Sequence, residues 1–229
     1  MKKKIVVLTG SGISAESGLK TFRDSGGLWE EYRIEEVATY DAWNYNPALV
    51  LEFYNKRRAQ LAGVVPNAAH HALVKLEQGF DVQIITQNVD DLHERAGSKA
   101  ILHLHGELTK VRSTKFAELV TDIGYREIHL GDLCSEGFQL RPHIVWFGEA
   151  VPLIETAAEL VNEADILLVV GTSMAVYPAA GLVHYVKPGC PIYLVDPNPA
   201  QLSGIPSLTV IRDKAGSGVP VLVDQLLHE

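Results

Sequence analysis

Cysteine is scarce in this chain. Only Cys134 and Cys190 occur among its 229 residues. Two thiols so far apart give no disulfide framework, and they suit a reducing compartment, so a cytoplasmic protein is expected. Long apolar runs are also missing. None approaches the roughly 20 residues of a membrane span, so no membrane partner is expected. The opening "MKKKIVVLTGSGISA" has the basic, apolar, small order of a signal peptide. Its apolar run is only about five residues, against the roughly 7–15 of such a signal, and reads better as a first buried strand. An excess of positive charge is lacking too. Lys and Arg number 20 against 28 Asp and Glu, a formal net charge of −8. That balance argues against direct binding of nucleic-acid backbones, yet leaves a basic protein tail open as a substrate. The sequence shows neither an internal repeat nor a low-complexity tract.

What is present fits an α/β protein. The hydrophobic fraction is 47% and the charged fraction 21%, ordinary values for a globular chain. The length suits one α/β domain with an insert, or one large and one small domain. Short β-branched apolar runs bounded by turn residues read as buried strands: "KIVVLT" (4–9), "VQIIT" (82–86), "HIVWF" (143–147), "ILLVV" (166–170), "PIYLV" (191–195) and "LTVIR" (208–212). Helical patterns lie between several of them: "NPALVLEFYNKRRAQL", "NAAHHALVKLEQ", "PLIETAAELVNEA" and "VPVLVDQLLHE". This alternation predicts a doubly wound parallel sheet of Rossmann type, with ligands at the carboxyl ends of its strands. Residues 23–66 and 107–141 fit that scheme poorly. They are read as insertions forming a smaller second lobe, with 1–22, 67–106 and 142–229 making the sheet domain. "KAGSGVP" (214–220) reads as a strand-to-helix turn.

Gly10, Gly12 and Ala15 match G-x-G-x-x-G/A directly after a strand. Such glycines permit a tight turn and close approach to a pyrophosphate, and a helix starting near Ser14 would aim its amides at that charge. Alone the motif is weak, and a tight turn without ligand explains it as well. A hydride-transferring dehydrogenase would place a ribose-binding carboxylate about 20 residues on, at the end of the next strand. Here the polar loop "TFRDSGGLW" follows instead, so that reading loses ground.

Three polar clusters follow apolar strands: "TQNVDD" (86–91), "HGE" (105–107) after "ILHL", and "GTS" (171–173). Asn88 and Asp90 suit ribose hydroxyls, or simply cap the next helix. His105 has the ordinary pKa of a general base near neutrality. His103 and His105 read either as a metal pair or as one packed and one solvated histidine.

These residues are similar to the signature blocks of the sirtuins, the NAD-dependent protein lysine deacylases. The blocks are "GSGISAESGLKTFRDSGGLW", "TQNVDDLHERAG", "LHGEL", "RPHIVWFGE", "GTSMAVYPAAGL" and "LVDPNP". They occur in the family's order and cover most of the chain. The resemblance implies a Rossmann-type large domain, a small domain of insertions, and NAD consumed as a co-substrate by cleavage of its nicotinamide–ribose bond. It implies that Gly10, Ser11, Gly12 and Ala15 hold the pyrophosphate, Ser11 standing where the family usually has alanine. Phe22, Arg23, Asp24 and Trp29 would belong to the cofactor loop. Gln87, Asn88 and Asp90 would line the nicotinamide and ribose pocket, with Asn88 and Asp90 in the catalytic set. His105 would be the base that deprotonates a ribose hydroxyl after the acyl oxygen has attacked the sugar. Val145, Phe147, Gly148 and Glu149 would form the acyl-lysine channel. Gly171, Thr172, Ser173, Asp196, Pro197, Asn198 and Ala215 would contact the rest of NAD. The partners implied are acyl-lysine proteins or peptides, met by a monomer. An ADP-ribosyltransferase on the same scaffold and a silent NAD- or ADP-ribose-binding sensor are the rival readings.

Within "EFYNKRR", Tyr54 and Arg57 share a helix face. They match the Tyr-x-x-Arg pair of sirtuins that remove succinyl, malonyl or glutaryl groups. Arg grips a carboxylate with two parallel charged hydrogen bonds, and Tyr adds a donor; a solvated basic helix face with Tyr at its edge, on a general deacetylase, is the other reading. One departure stands out. Most sirtuins carry two cysteine pairs for a structural zinc before "RPHIVWFGE". This chain has Ser113 at the first such position and Cys134 alone thereafter. His129 and Asp132 beside Cys134 show no metal-ligand spacing, so no zinc is expected. Packing of Phe116, Leu119, Val120, Ile123, Tyr125, Ile128 and Leu133 is expected to take its place.

Overall fold

A computed structural model describes residues 2–20, 32–172, 174, 176–199, 205 and 207–228. Phe22, Arg23, Asp24, Trp29 and Ser173 of the expected site lie outside the described residues. The main sheet has six parallel strands: β1 (Lys4–Thr9), β2 (Asp81–Thr86), β3 (Ile101–His103), β7 (Ile166–Val170), β8 (Ile192–Val195) and β9 (Leu208–Ile211). Their order is β3-β2-β1-β7-β8-β9. Both faces are covered, which is why the strands read as continuous apolar runs. Ile5, Val7, Ile84, Leu168 and Val170 face one core. That core is shared with α5 (Ala68–Leu76) and α8 (Ala215–His228). Val6, Leu8, Ile85, Leu167 and Val169 face the other, under α7 (Ile154–Asn162) and a 3₁₀ helix (Ala179–Tyr185). The strand order reverses between β1 and β7. A crevice opens at such a point, beyond the carboxyl ends of the strands.

A second core joins three helices to a small antiparallel sheet. The helices are α2 (Ile34–Val37), α3 (Tyr40–Tyr45) and α4 (Pro47–Ala62). The sheet has the order β5-β4-β6, with β4 (Gly106–Ser113), β5 (Val120–Asp122) and β6 (Leu140–Ile144). The start of α4 is marked chemically. Asn46 caps it by accepting from Leu49 N at 3.2 Å, and Pro47 supplies a preset first turn.

Three expectations need correction. "HIVWF" is not one strand. The strand is Leu140–Ile144, and it sits at the edge of the small sheet, where Pro142 costs no ladder bond. Beyond Ile144 the chain turns away: Val145 N donates to His105 O (2.9 Å) and Phe147 N to Ala38 O (3.0 Å). Next, "AGSGVP" is not a turn but the first part of α8. Its glycines serve close packing. A Cβ on Gly218 would lie 2.7 Å from Val195 Cγ1, and one on Gly216 would lie 2.8 Å from Glu16 Oε2. The glycine loop's helix, α1 (Ser11–Ala15), begins at Ser11 rather than near Ser14.

The small lobe also packs differently from expectation. Ile123 and Ile128 are buried, but Val120, Tyr125 and Leu133 are exposed, and Phe116 and Leu119 are half-buried. Polar pairing does much of the holding. The buried Asn55 amide donates to Ile128 O (3.0 Å) and accepts from Ile128 N (3.1 Å). Arg58, fully buried beside it, donates to Asn55 Oδ1 and to Leu108 O (3.4 Å), and burial pushes its pKa down to about 10. Where two cysteines were sought, Cys134 Sγ donates to Ser113 Oγ at 3.4 Å. Next to them, Phe116 and Phe138 meet edge to face, and the Lys115 ammonium lies 4.4 Å from the Phe138 ring centre. α7 and the cap-rich loops complete a chain in which, among the described residues, no helix is long and apolar enough to cross a membrane.

Candidate functional site

A cavity of about 570 Å³ opens at the switch point. Strand ends furnish one side of it: Gly10, Ser11, Gly12 and Ala15 after β1, Gln87 and Asn88 after β2, and His105 after β3. Gly171 and Thr172 after β7, then Asp196, Pro197 and Asn198 after β8, and Ala215 at the start of α8 complete that side. Tyr54 and Arg57 from α4, with Val145, Phe147, Gly148 and Glu149, form the opposite wall. One cavity therefore gathers the described members of the expected site, with Asp90 the exception. Asp90 lines a small adjoining cleft with Ser14 and Arg57.

The glycines allow two strand-end loops to touch. A Cβ on Gly10 would lie 2.7 Å from Thr172 Cβ, and one on Gly12 would lie 2.7 Å from Gly171 Cα. Gly171 itself has φ +60°, the left-handed region that favours glycine. Gly12 N donates to Gly171 O at 2.8 Å, and Gly10 N to Val170 O at 3.0 Å. The close approach expected toward a pyrophosphate is therefore first an approach of loop to loop, which sets the floor of the cavity. A dinucleotide fits this floor, which the close-packed glycines leave lined by backbone beneath the cavity.

The loop after β2 is held from below. Ser14 Oγ donates to Asp90 Oδ2 (2.9 Å) and accepts from Asn88 Nδ2 (3.1 Å). Asp90 Oδ1 also accepts from Leu92 N (3.2 Å), at the start of α6 (Leu92–Ala96). Of the two expected readings, these bonds match the helix-start acceptor, and Asp90 also supports Asn88 through Ser14. Burial raises its pKa, opposed by those two hydrogen bonds. Ser14 was not singled out from the sequence. Its hydroxyl carries no motif signal of its own beyond its place in "GSGISAESG".

The two histidines of "LHLHG" separate cleanly. His103 lies between two acceptors, Asn88 O (3.2 Å at Nδ1) and Glu94 Oε1 (2.7 Å at Nε2). Two acceptors favour the doubly protonated ring. Burial would lower its pKa, but the Glu94 hydrogen bond and the Glu94 and Glu107 charges outweigh that and raise it. His105 Nδ1 donates to Gln87 O at 3.1 Å, which leaves Nε2 as the basic nitrogen. Burial lowers the His105 pKa, partly offset by that carbonyl. His105 is therefore neutral and able to take a proton at pH 7.

On the opposite wall, Tyr54 is buried and Arg57 half-buried. Tyr54 Oη accepts from Trp146 Nε1 at 3.0 Å. Burial pushes the Tyr54 pKa up to about 12, against the lowering pull of Arg57, so it stays a hydrogen-bond donor. Glu149 is less available than expected. Its carboxylate takes two hydrogen bonds from Arg141 (2.8 and 3.0 Å) and one from Trp146 N (2.8 Å). The sequence reading also missed Glu16, whose Oε2 accepts from Gly216 N at 2.6 Å beside the cavity.

Comparison with known proteins agrees with this geometry. The family model described as "Sir2 family" matches residues 10–178. A protein of Bacteroides thetaiotaomicron named NAD-dependent protein deacylase is 53% identical over 98% of this chain and 98% of its own. One of the same name from Helicobacter pylori is 51% identical over 99% of this chain and 98% of its own. A solved Sir2 homolog–NAD complex superposes with a TM-score of 0.88 at 40% identity, covering 98% of this chain and 90% of that one.

Proposed function

Because the chain belongs to the Sir2 family, we propose that it removes short acyl groups ending in a carboxylate, succinyl or malonyl, from protein lysines. The broader activity, NAD-dependent protein deacylation, is that of its named relatives and of this chain. NAD, consumed as co-substrate, supplies the ribose carbon that accepts the acyl oxygen as nicotinamide leaves. Gly10, Gly12, Gly171 and Thr172 form the seat for its phosphates. Asn88, oriented through Ser14 and Asp90, faces the ribose. Val145, Phe147 and Gly148 line the channel for the acyl-lysine and hold it in line with the sugar, where position and exclusion of water lower the barrier. His105 Nε2 takes the ribose hydroxyl proton. Lysine-rich segments suit the acidic chain as encounter partners.

The observation that carries the acyl preference is the pairing of Tyr54 and Arg57 on the cavity wall. A half-buried guanidinium beside a phenol held in its neutral form matches a carboxylate, and nothing in an acetyl group would reward either. The test compares one peptide bearing acetyl-lysine or succinyl-lysine. Arg57→Met is expected to lower the succinyl-to-acetyl ratio of kcat/KM by about 10- to 100-fold, the worth of a charged hydrogen-bond pair. A wild-type enzyme that prefers the acetyl peptide would overturn the preference.

We also propose that the small lobe stands without zinc. The residues present do not suit the metal: Cys134 meets Ser113, Cys190 packs in the core beneath β7 and β8, and two aromatic rings fill the neighbouring space. Exhaustive chelation is expected to leave the melting temperature and deacylation unchanged. Loss of either, restored by zinc, would contradict this.

A further inference from the structure

We infer that Trp146 is a positioning residue for acyl selectivity, acting through the Tyr54 hydroxyl; this rests on the carboxylate-binding reading of Tyr54 and Arg57. A free tyrosine hydroxyl in a cavity rotates between two in-plane positions, and half its orientations waste the donor. Here the Trp146 indole N–H, 3.0 Å away, occupies a lone pair of Oη. Indole has no acceptor, so the interaction has one possible direction. It turns the phenolic proton away from the indole.

The indole is itself clamped. The Arg141 guanidinium carbon lies 3.4 Å from its ring centre, and the Trp43 ring lies against it at 5.7 Å, tilted by 32°. Arg141 is in turn fixed by its paired bonds to Glu149 and one to Ile144 O (3.0 Å). Trp146 is 2% exposed and Tyr54 equally so. A bond between two groups so enclosed is not exchanged for water. The arrangement makes the tyrosine a preset donor, and what it is preset for is an acceptor at the depth of Arg57. Phenylalanine at position 146 would pack similarly but leave the hydroxyl free to turn.

The test is a cycle of W146F and Y54F, alone and together, read as the succinyl-to-acetyl ratio of kcat/KM. Each single variant is expected to lower the ratio about 3- to 10-fold, the worth of one hydrogen bond, chiefly through the KM for the succinyl peptide. The double variant is expected to be no worse than Y54F. A W146F effect that persists undiminished in the Y54F background would mean the indole acts by packing alone, and would overturn the inference. A ratio unchanged in W146F while Arg57→Met abolishes it would also overturn it, leaving the carboxylate reading intact. A wild-type enzyme indifferent to succinyl would remove both. Should W146F fail to fold, the wild-type protein still decides. The Trp146 indole N–H resonance is expected to shift when succinyl peptide is added and not with acetyl peptide, and equal responses would overturn the proposal.

Discussion

Replacing His105 with Ala is expected to slow deacylation by about 10²–10⁴-fold, the range typical of a lost general base. Binding of NAD is expected to change far less, because the phosphate seat lies on other strand ends. One tautomer of His105 decides which nitrogen reacts. Nδ1 is committed to the Gln87 carbonyl, so Nε2 is the nitrogen that accepts a proton. The pH dependence follows from the same environment. Burial holds the His105 pKa below its ordinary 6.5, so the base is deprotonated throughout neutral pH. The acid limb of kcat/KM is therefore expected below pH 6.5, and should vanish in the Ala variant. A limb centred above that value would assign the base elsewhere. Nicotinamide release in a single turnover should survive better than formation of the acyl-ADP-ribose, since deprotonation follows departure of nicotinamide. Equal loss of both would also count against His105 as the base.

The second large effect concerns stability in acid. His70 on α5 and His93 on α6 are fully buried and meet edge to face at 5.0 Å. His70 Nδ1 accepts from Asn67 N at 3.3 Å, and His93 Nε2 pairs with Thr9 Oγ1 at 3.1 Å. Burial first, and then the charge of His71, push the His70 pKa down to about 4. Burial holds His93 well below its ordinary value, aided by His70 and His103. Both folded pKa values thus lie below the unfolded 6.5. The unfolded chain takes up protons that the folded chain refuses, so stability is complete above pH 6.5 and is lost as pH falls toward 4. For His70 alone the loss is about 3 kcal/mol, a large part of the 5–15 kcal/mol that holds an ordinary domain. Urea unfolding between pH 7 and 4 measures it. His70→Asn, which keeps an acceptor for the Asn67 amide, should flatten the slope. A wild-type protein equally stable at pH 7 and 4.5 would refute the account. Thr9 and Asn67 both adjoin the glycine loop, so this region is expected to loosen first.

Much of the fold was legible because burial on both faces writes itself as an apolar run. "KIVVLT" and "ILLVV" coincide with β1 and β7 to the residue. The strand-end clusters were legible because a doubly wound sheet sends every such end to one crevice. The small lobe was not. β4 and β5 lie in a sheet of mixed exposure, and "HIVWF" gives no sign of where a strand at a sheet edge ends and a cavity wall begins. Asn55 and Arg58 were passed over for a different reason. Each is polar on a helix with solvated neighbours such as Lys56, and only tertiary contact turns them inward. The Trp146–Tyr54 bond spans 92 residues, a separation over which one sequence carries no pairing information. Glu16 and Gly216, 200 residues apart, were hidden in the same way.

The single bond from Val145 N to His105 O has a consequence for how the enzyme measures its substrate. It ties the channel segment to the backbone of the base, so the two keep one fixed spacing. On the proposed reading of these residues, the reacting end of an acyl-lysine is gauged against that spacing. Differences in acyl length, such as the one methylene between malonyl and succinyl, have to be absorbed at the far end. There the Tyr54 hydroxyl, held by the Trp146 indole, is a donor at a fixed place. On the proposed carboxylate reading, length discrimination falls to that tyrosine.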